Sequence, residues 1–172
     1  MSLSSPEGRG LLARTSDVIG LALLMPCIAT STQEGDVVVR RERLFGLVPV
    51  RTSAWKNGLL HGPEVWHALR GDARKRLEWS EGVPHGTWRE WHGNGVKSLE
   101  CALERGVLHG KATRWRRNAT KAYQGEYRNG AKTGEWFYLK RDSTLDAKKT
   151  GLYVDGERLS GIKGFNEWLG SP

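Results

Sequence analysis

The chain has 172 residues, with 27 Lys and Arg against 19 Asp and Glu and a formal net charge of +8. Its eight Trp and 22 Gly exclude a disordered tail, which is poor in aromatics, and disfavour a helix bundle, whose interiors glycine weakens. No stretch reaches the ~18 uncharged apolar residues that cross a bilayer as a helix.

Residues 1–30 stand apart from the rest, because every Trp, Tyr and Phe falls from Phe45 onward. Arg9 and Arg14 precede an uncharged apolar run over residues 18–29, which has the length and flank of a secretory leader. The expectation is export or envelope association, with a cytoplasmic location as the alternative. Leu24-Met25-Pro26-Cys27 resembles a bacterial lipobox, which implies lipid on Cys27. Cleavage after Ala29 and an uncleaved anchor remain open beside it. Glu7, Arg9, Arg14 and Asp17 cancel, so the whole basic surplus lies after Thr30. With Cys27 in the leader, Cys101 has no partner, and no disulfide framework is expected.

Residues 31–50 read as a linker and an opening strand: a flexible stretch over 31–36, then a strand over 37–45. Beyond them the chain repeats. Gly58-Leu59-Leu60-His61-Gly62, Gly82-Val83-Pro84-His85-Gly86, Gly106-Val107-Leu108-His109-Gly110 and Gly130-Ala131-Lys132-Thr133-Gly134 follow one another at 24-residue steps, and a looser copy starts at Gly156. Three places before each leading glycine stand Trp55, Trp79, Leu103, Tyr127 and Tyr153, which implies a stacked column. Leu99, Cys101 and Leu103 alternate with polar neighbours, the pattern of a half-buried strand. Each copy therefore reads as strand, turn, strand, turn. One turn is of the Asn94-Gly95 type, where both residues tolerate positive φ. The other is the Gly-x-x-His-Gly motif. Trp88 and Trp91 have opposite parity, so either a bulge lies between them or both faces carry apolar groups.

Tyr123-Gln124-Gly125-Glu126-Tyr127-Arg128-Asn129-Gly130-Ala131-Lys132-Thr133-Gly134 resembles the membrane occupation and recognition nexus (MORN) repeat. The 24-residue spacing is similar to its bacterial variant, found in the YwqK-type antitoxin family and in MORN lipoproteins. The resemblance implies an all-β array of antiparallel hairpins in one long twisted sheet, five repeats over residues 51–161 with a polar insertion at 141–150. It implies no catalytic residue. Residues 162–172, with Phe165, Trp168 and Leu169, are expected to cap the array.

The candidate sites follow from the same pattern. His61, His85 and His109 recur at one position, but copies two strands apart lie roughly 10 Å from one another, too far to share one metal ion. Thr133 and Ser160 replace them later in the chain, which suits a turn hydrogen bond to the backbone. No metal and no cofactor is expected. Cys101 shares a strand face with Leu99 and Leu103 and reads as a small buried hydrophobe. No nucleophile elbow, zinc-protease helix or phosphate loop is present, so no enzymatic activity and no small-molecule substrate are expected. Arg70, Arg74, Lys75 and Arg76, then Arg114, Arg116, Arg117 and Lys121, cluster at equivalent turns and are expected to line one edge. Such a stripe meets anionic lipid, a protein partner or, as the least favoured reading, a nucleic-acid backbone; it also protects a sheet edge with no ligand at all. The functional expectation is a non-enzymatic, envelope-associated scaffold that binds a protein or an anionic membrane. A cytoplasmic antitoxin-like protein that neutralises a toxin by direct binding is the alternative.

Overall fold

The computed structural model describes residues 27–160, all of them in strands, turns and short loops. Twelve strands form one open sheet in strict sequence order, each antiparallel to the last. They are β1 (Cys27–Glu34), β2 (Val37–Leu44), β3 (Val48–Lys56), β4 (Leu59–His67), β5 (Ala73–Ser80), β6 (Val83–Trp91), β7 (Lys97–Glu104), β8 (Val107–Trp115), β9 (Lys121–Arg128), β10 (Ala131–Tyr138), β11 (Gly151–Val154) and β12 (Glu157–Ser160). The hairpin array is thus as the repeat requires. It starts earlier than the sequence indicates, because residues 31–34 are not a flexible linker: they complete β1, which pairs with β2 along its whole length. The leader expected over residues 1–30 has its last four residues, 27–30, in β1; the rest of it and the terminal cap over 162–172 fall outside the described residues.

Both kinds of turn expected from the sequence are present, but the tight geometry falls at the first glycine of the Gly-x-x-His-Gly motif and not at the Asn94-Gly95 end. The tight turns lie at Asn57-Gly58, Glu81-Gly82, Arg105-Gly106, Asn129-Gly130 and Asp155-Gly156, where both residues have positive φ, as a two-residue type I′ hairpin demands. Each later turn also bonds back to the hairpin before it: the N–H groups of Gly82, Gly106, Gly130 and Gly156 donate to the carbonyls of Leu60, Pro84, Leu108 and Lys132. The second glycine of each motif is not in a turn. Gly62, Gly86, Gly110 and Gly134 have positive φ inside strands, each at a register shift of the hairpin. A β-bulge of this kind needs a residue free of Cβ strain.

At the opposite edge the loops also repeat every 24 residues. The residues at 68, 92, 116 and 140 accept a bond from the N–H three places on and donate their own N–H to the carbonyl four places on. Only Gly95 of the Asn94-Gly95 pair takes positive φ. Asn94 works through its side chain, accepting from the Val96 N–H at 3.3 Å and donating to the Arg117 carbonyl at 2.7 Å. The polar insertion begins with the same loop and is ordered by Thr150, which is 2% exposed and bonds both the N–H and the carbonyl of Tyr138.

Strand alternation divides the sheet into an aromatic face and a polar face. A cross-strand row on the aromatic face runs Ser53, Glu64, Leu77, Trp88, Cys101, Ala112, Gly125, each directly opposite the next. The column beside it holds Trp55, Trp79, Leu103, Tyr127 and Tyr153; the last four stand opposite Gly62, Gly86, Gly110 and Gly134. Packing is densest toward the C-terminal hairpins, where Leu99, Cys101, Ala112, Trp136 and Tyr153 form one buried cluster. Trp136 has no exposed surface and lies flat on Gly125. The pairing of β6 with β7 shifts register between Glu90 and Trp91, so an irregularity of the expected kind does lie between Trp88 and Trp91. Trp88 belongs to the aromatic row, while Trp91 falls on the polar face in the place that Trp115 takes one period later.

Candidate functional site

The eight basic residues do not share one environment. Four are occupied inside the fold. Arg74 donates to the carbonyls of His92 at 2.5 Å and Gly93 at 3.5 Å. Arg116 donates to the Lys121 carbonyl at 2.7 Å and to that of Leu139. Arg76 sits on the polar face, paired with Glu78 at 3.0 Å, and Lys121 also has an internal partner. Together with His92, whose Nε2 lies 2.9 Å from the Trp115 carbonyl, and with Asn94, Arg74 and Arg116 fasten each loop to the next copy. Arg116 takes the repeat position of His92, 24 residues on, and each bonds a carbonyl of the following copy.

Arg70 and Arg117 are exposed on the loops. Lys75 and Arg114 are on the aromatic face, in a second cross-strand row that runs Arg51, Trp66, Lys75, Glu90, Leu99, Arg114, Tyr123. Lys75 Nζ sits between two indoles, 4.9 Å from the Trp66 centroid and 5.0 Å from that of Trp88, a cation–π sandwich. Among the described residues no carboxylate pairs with it. Glu90, its cross-strand neighbour, makes no ion pair among the described residues either. Arg114 is exposed, with neither hydrogen bond nor ion pair among the described residues. The Trp88 indole N–H beside Lys75 is buried and has no acceptor there.

Other parts of this face are internally satisfied. Glu64, 1% exposed, accepts from Arg51 Nε at 2.5 Å and from the Trp79 indole at 2.9 Å. Lys132 Nζ donates to the Tyr138 hydroxyl at 2.6 Å and lies 5.0 Å from the Trp136 centroid and 5.1 Å from that of Tyr153. Neither arrangement was legible in the repeat, because Glu64 and Lys132 sit where sequence periodicity alone gives no partner. Burial pushes the Cys101 thiol up to about 11, with the negative fields of Glu90 and Glu100 adding to it, so it is a poor nucleophile at neutral pH.

The recurring histidines do not make the backbone bonds expected of them. His61 and His85 have no side-chain hydrogen bond among the described residues, and His109 Nδ1 faces Glu104 at 3.7 Å. The backbone-bonded histidines are instead His92 and His67, whose Nδ1 lies 3.0 Å from the Gly71 carbonyl. Among the described residues no group of three or more His, Cys, Asp and Glu could hold a metal ion. No described helix is long and apolar enough to cross a membrane. Cys27 is exposed at the first position of β1, opposite Leu44. No protein-family model and no curated protein matches the chain.

Proposed function

We propose that the chain is a non-enzymatic, envelope-associated scaffold whose aromatic face docks an acidic segment of a protein partner. The observation that carries this reading is the pair Lys75 and Arg114, two cations on one face with no counter-ion among the described residues. A charge held against indole rings and partly desolvated gains from an external carboxylate more than a fully hydrated surface charge does. Three strand steps separate the two cations, roughly 14 Å at ~4.8 Å per step.

A protein suits that row better than an anionic membrane. Glu90 lies between the cations, which disfavours a plane of phosphates but suits a partner with its own mixed charges. The polar face is also of mixed sign, since Glu100 takes both Arg89 at 2.7 Å and Lys97 at 2.8 Å. Half of the basic residues expected to form a lipid-binding edge are spent internally, which further weakens the membrane reading. The likeness to MORN arrays supports a scaffold. Envelope attachment through Cys27 fits the position of that residue, because a lipid there leaves β1 whole, whereas cleavage after Ala29 removes three of its eight residues.

The test titrates extended peptides, each with two Asp or Glu four residues apart, into the protein and follows indole fluorescence. Binding that fades with salt and is lost in both Lys75→Ala and Arg114→Ala is expected. Binding of phosphatidylglycerol vesicles with no affinity for any acidic peptide would replace the protein reading with the membrane one.

A further inference from the structure

The two edges of the sheet are unlike. An open edge strand presents unpaired N–H and C=O groups, and proteins guard such edges with charge, proline, bulges or shortness. The β12 edge is guarded: the strand has four residues, Glu157 and Arg158 among them, and its pairing with β11 carries a register shift. The β1 edge is not. Its sequence, Cys27-Ile28-Ala29-Thr30-Ser31-Thr32-Gln33-Glu34, holds no Pro, Gly, Lys or Arg and one charge at its far end. All eight residues are exposed. All eight pair with β2 without a shift, whereas every other pairing between strands of eight or nine residues is interrupted. Among the described residues nothing pairs with the outer side of β1.

We infer that β1 is a homotypic assembly edge, on which a second copy of the chain pairs its own β1 antiparallel to make one continuous sheet. A two-fold axis perpendicular to the sheet relates antiparallel copies of one strand, so it keeps the aromatic faces on the same side. Alternation puts Ile28, Thr30 and Thr32 together on the other side, and β-branched residues are favourable cross-strand partners. Of the three basic residues on β2, two are internally paired, and the third, Arg43, is exposed opposite Ile28 with no ion pair among the described residues. Arg41 is held by Thr32 Oγ1 at 2.7 Å and Glu34 at 3.4 Å, and Arg40 by Glu42 at 3.3 Å. The asymmetry between edges also fixes the stoichiometry. Pairing β1 with β12 would be head-to-tail and open-ended, whereas β1 with β1 closes after two copies and leaves the guarded β12 edges outside.

Light scattering on the full-length protein tests this inference. The expected mass is twice that of one 19.2-kDa chain. The two-fold places the two copies of residue 30 on one face, either directly opposite or one diagonal apart, within about 8 Å. Thr30→Lys and Thr30→Glu are each expected to halve the mass while circular dichroism stays unchanged, and an equimolar mixture of the two is expected to restore it. A wild-type protein of single-chain mass at the highest soluble concentration would overturn the inference, whether the edge is covered by residues 1–26 or left bare. So would variants that stay double, or a mixture that stays single.

Discussion

Two glycines nine residues apart illustrate how different the work of one residue type is within this fold. Gly125 has no positive φ, yet a Cβ there would run into the Trp136 indole ring, and Trp136 is wholly buried. Gly134 is the reverse: its φ is +67 and a Cβ would meet nothing within 4 Å. Gly125→Ala is therefore a packing clash, expected to cost about 3 kcal/mol because an overfilled site must push an indole out of the cluster. Gly134→Ala is a backbone penalty of about 1 kcal/mol. Urea unfolding of the two variants checks the order, and equal losses would mean that Trp136 can yield without cost. Neither role was legible in the sequence, where both glycines are repeat markers. Spacing shows that a position is constrained, and only the neighbouring side chain shows whether sterics or φ constrains it.

At the scale of the hairpin, the period of 24 and the alternation of apolar residues specified the strands, and these were readable because one register error would turn every buried side chain outward. The turn ends were not, since Asn94-Gly95 and Asn57-Gly58 are the same dipeptide in two different turns. The type I′ geometry sits where the loop has two residues, and its demand for positive φ is met unevenly. Asn57 and Asn129 suit it, whereas Glu81 and Arg105 hold φ near +50 with side chains that disfavour that region. Glu81→Asn and Arg105→Asn are therefore each expected to raise stability by about 0.5–1 kcal/mol. Both residues are exposed at the turns, so little packing is at stake. Thermal melts of the single and double variants check this, and a departure from additivity would report the bond from the Gly106 N–H to the Pro84 carbonyl, which joins the two hairpins. No gain in either would place the strain elsewhere.

Over the whole molecule, a single-layer array holds together by nearest-neighbour contact, so its response to alkaline pH is set by where the buried thiol and phenols lie. Those raised by burial, Cys101, Tyr127 and Tyr138, are in the C-terminal half. Burial pushes the Cys101 thiol from its ordinary value of 9.0 to about 11 and the Tyr127 phenol from 10.0 to about 12, and it raises Tyr138 as well, helped by Tyr153 and Tyr123. Each group is neutral when it protonates and is raised in the native state. Its contribution is therefore complete below its ordinary value and is lost as pH climbs through the native one. Stability should hold steady up to about pH 8, begin to fall near 9 as the unfolded thiol ionises, and fall more steeply beyond 10 as unfolded phenols join it. Cys101→Ala should delay the onset from about pH 9 to about pH 10, at the expense of a small cavity. The loss should begin around β7 to β11, whose aromatic cluster includes Tyr123, 5.8 Å from Trp136 and 5.6 Å from Tyr138. Hydrogen exchange at rising pH should then show these strands, the best protected at neutral pH, losing their advantage over β1 and β2. Phenols that titrate freely at pH 10 while the sheet keeps its circular dichroism would mean that the cluster opens without unfolding.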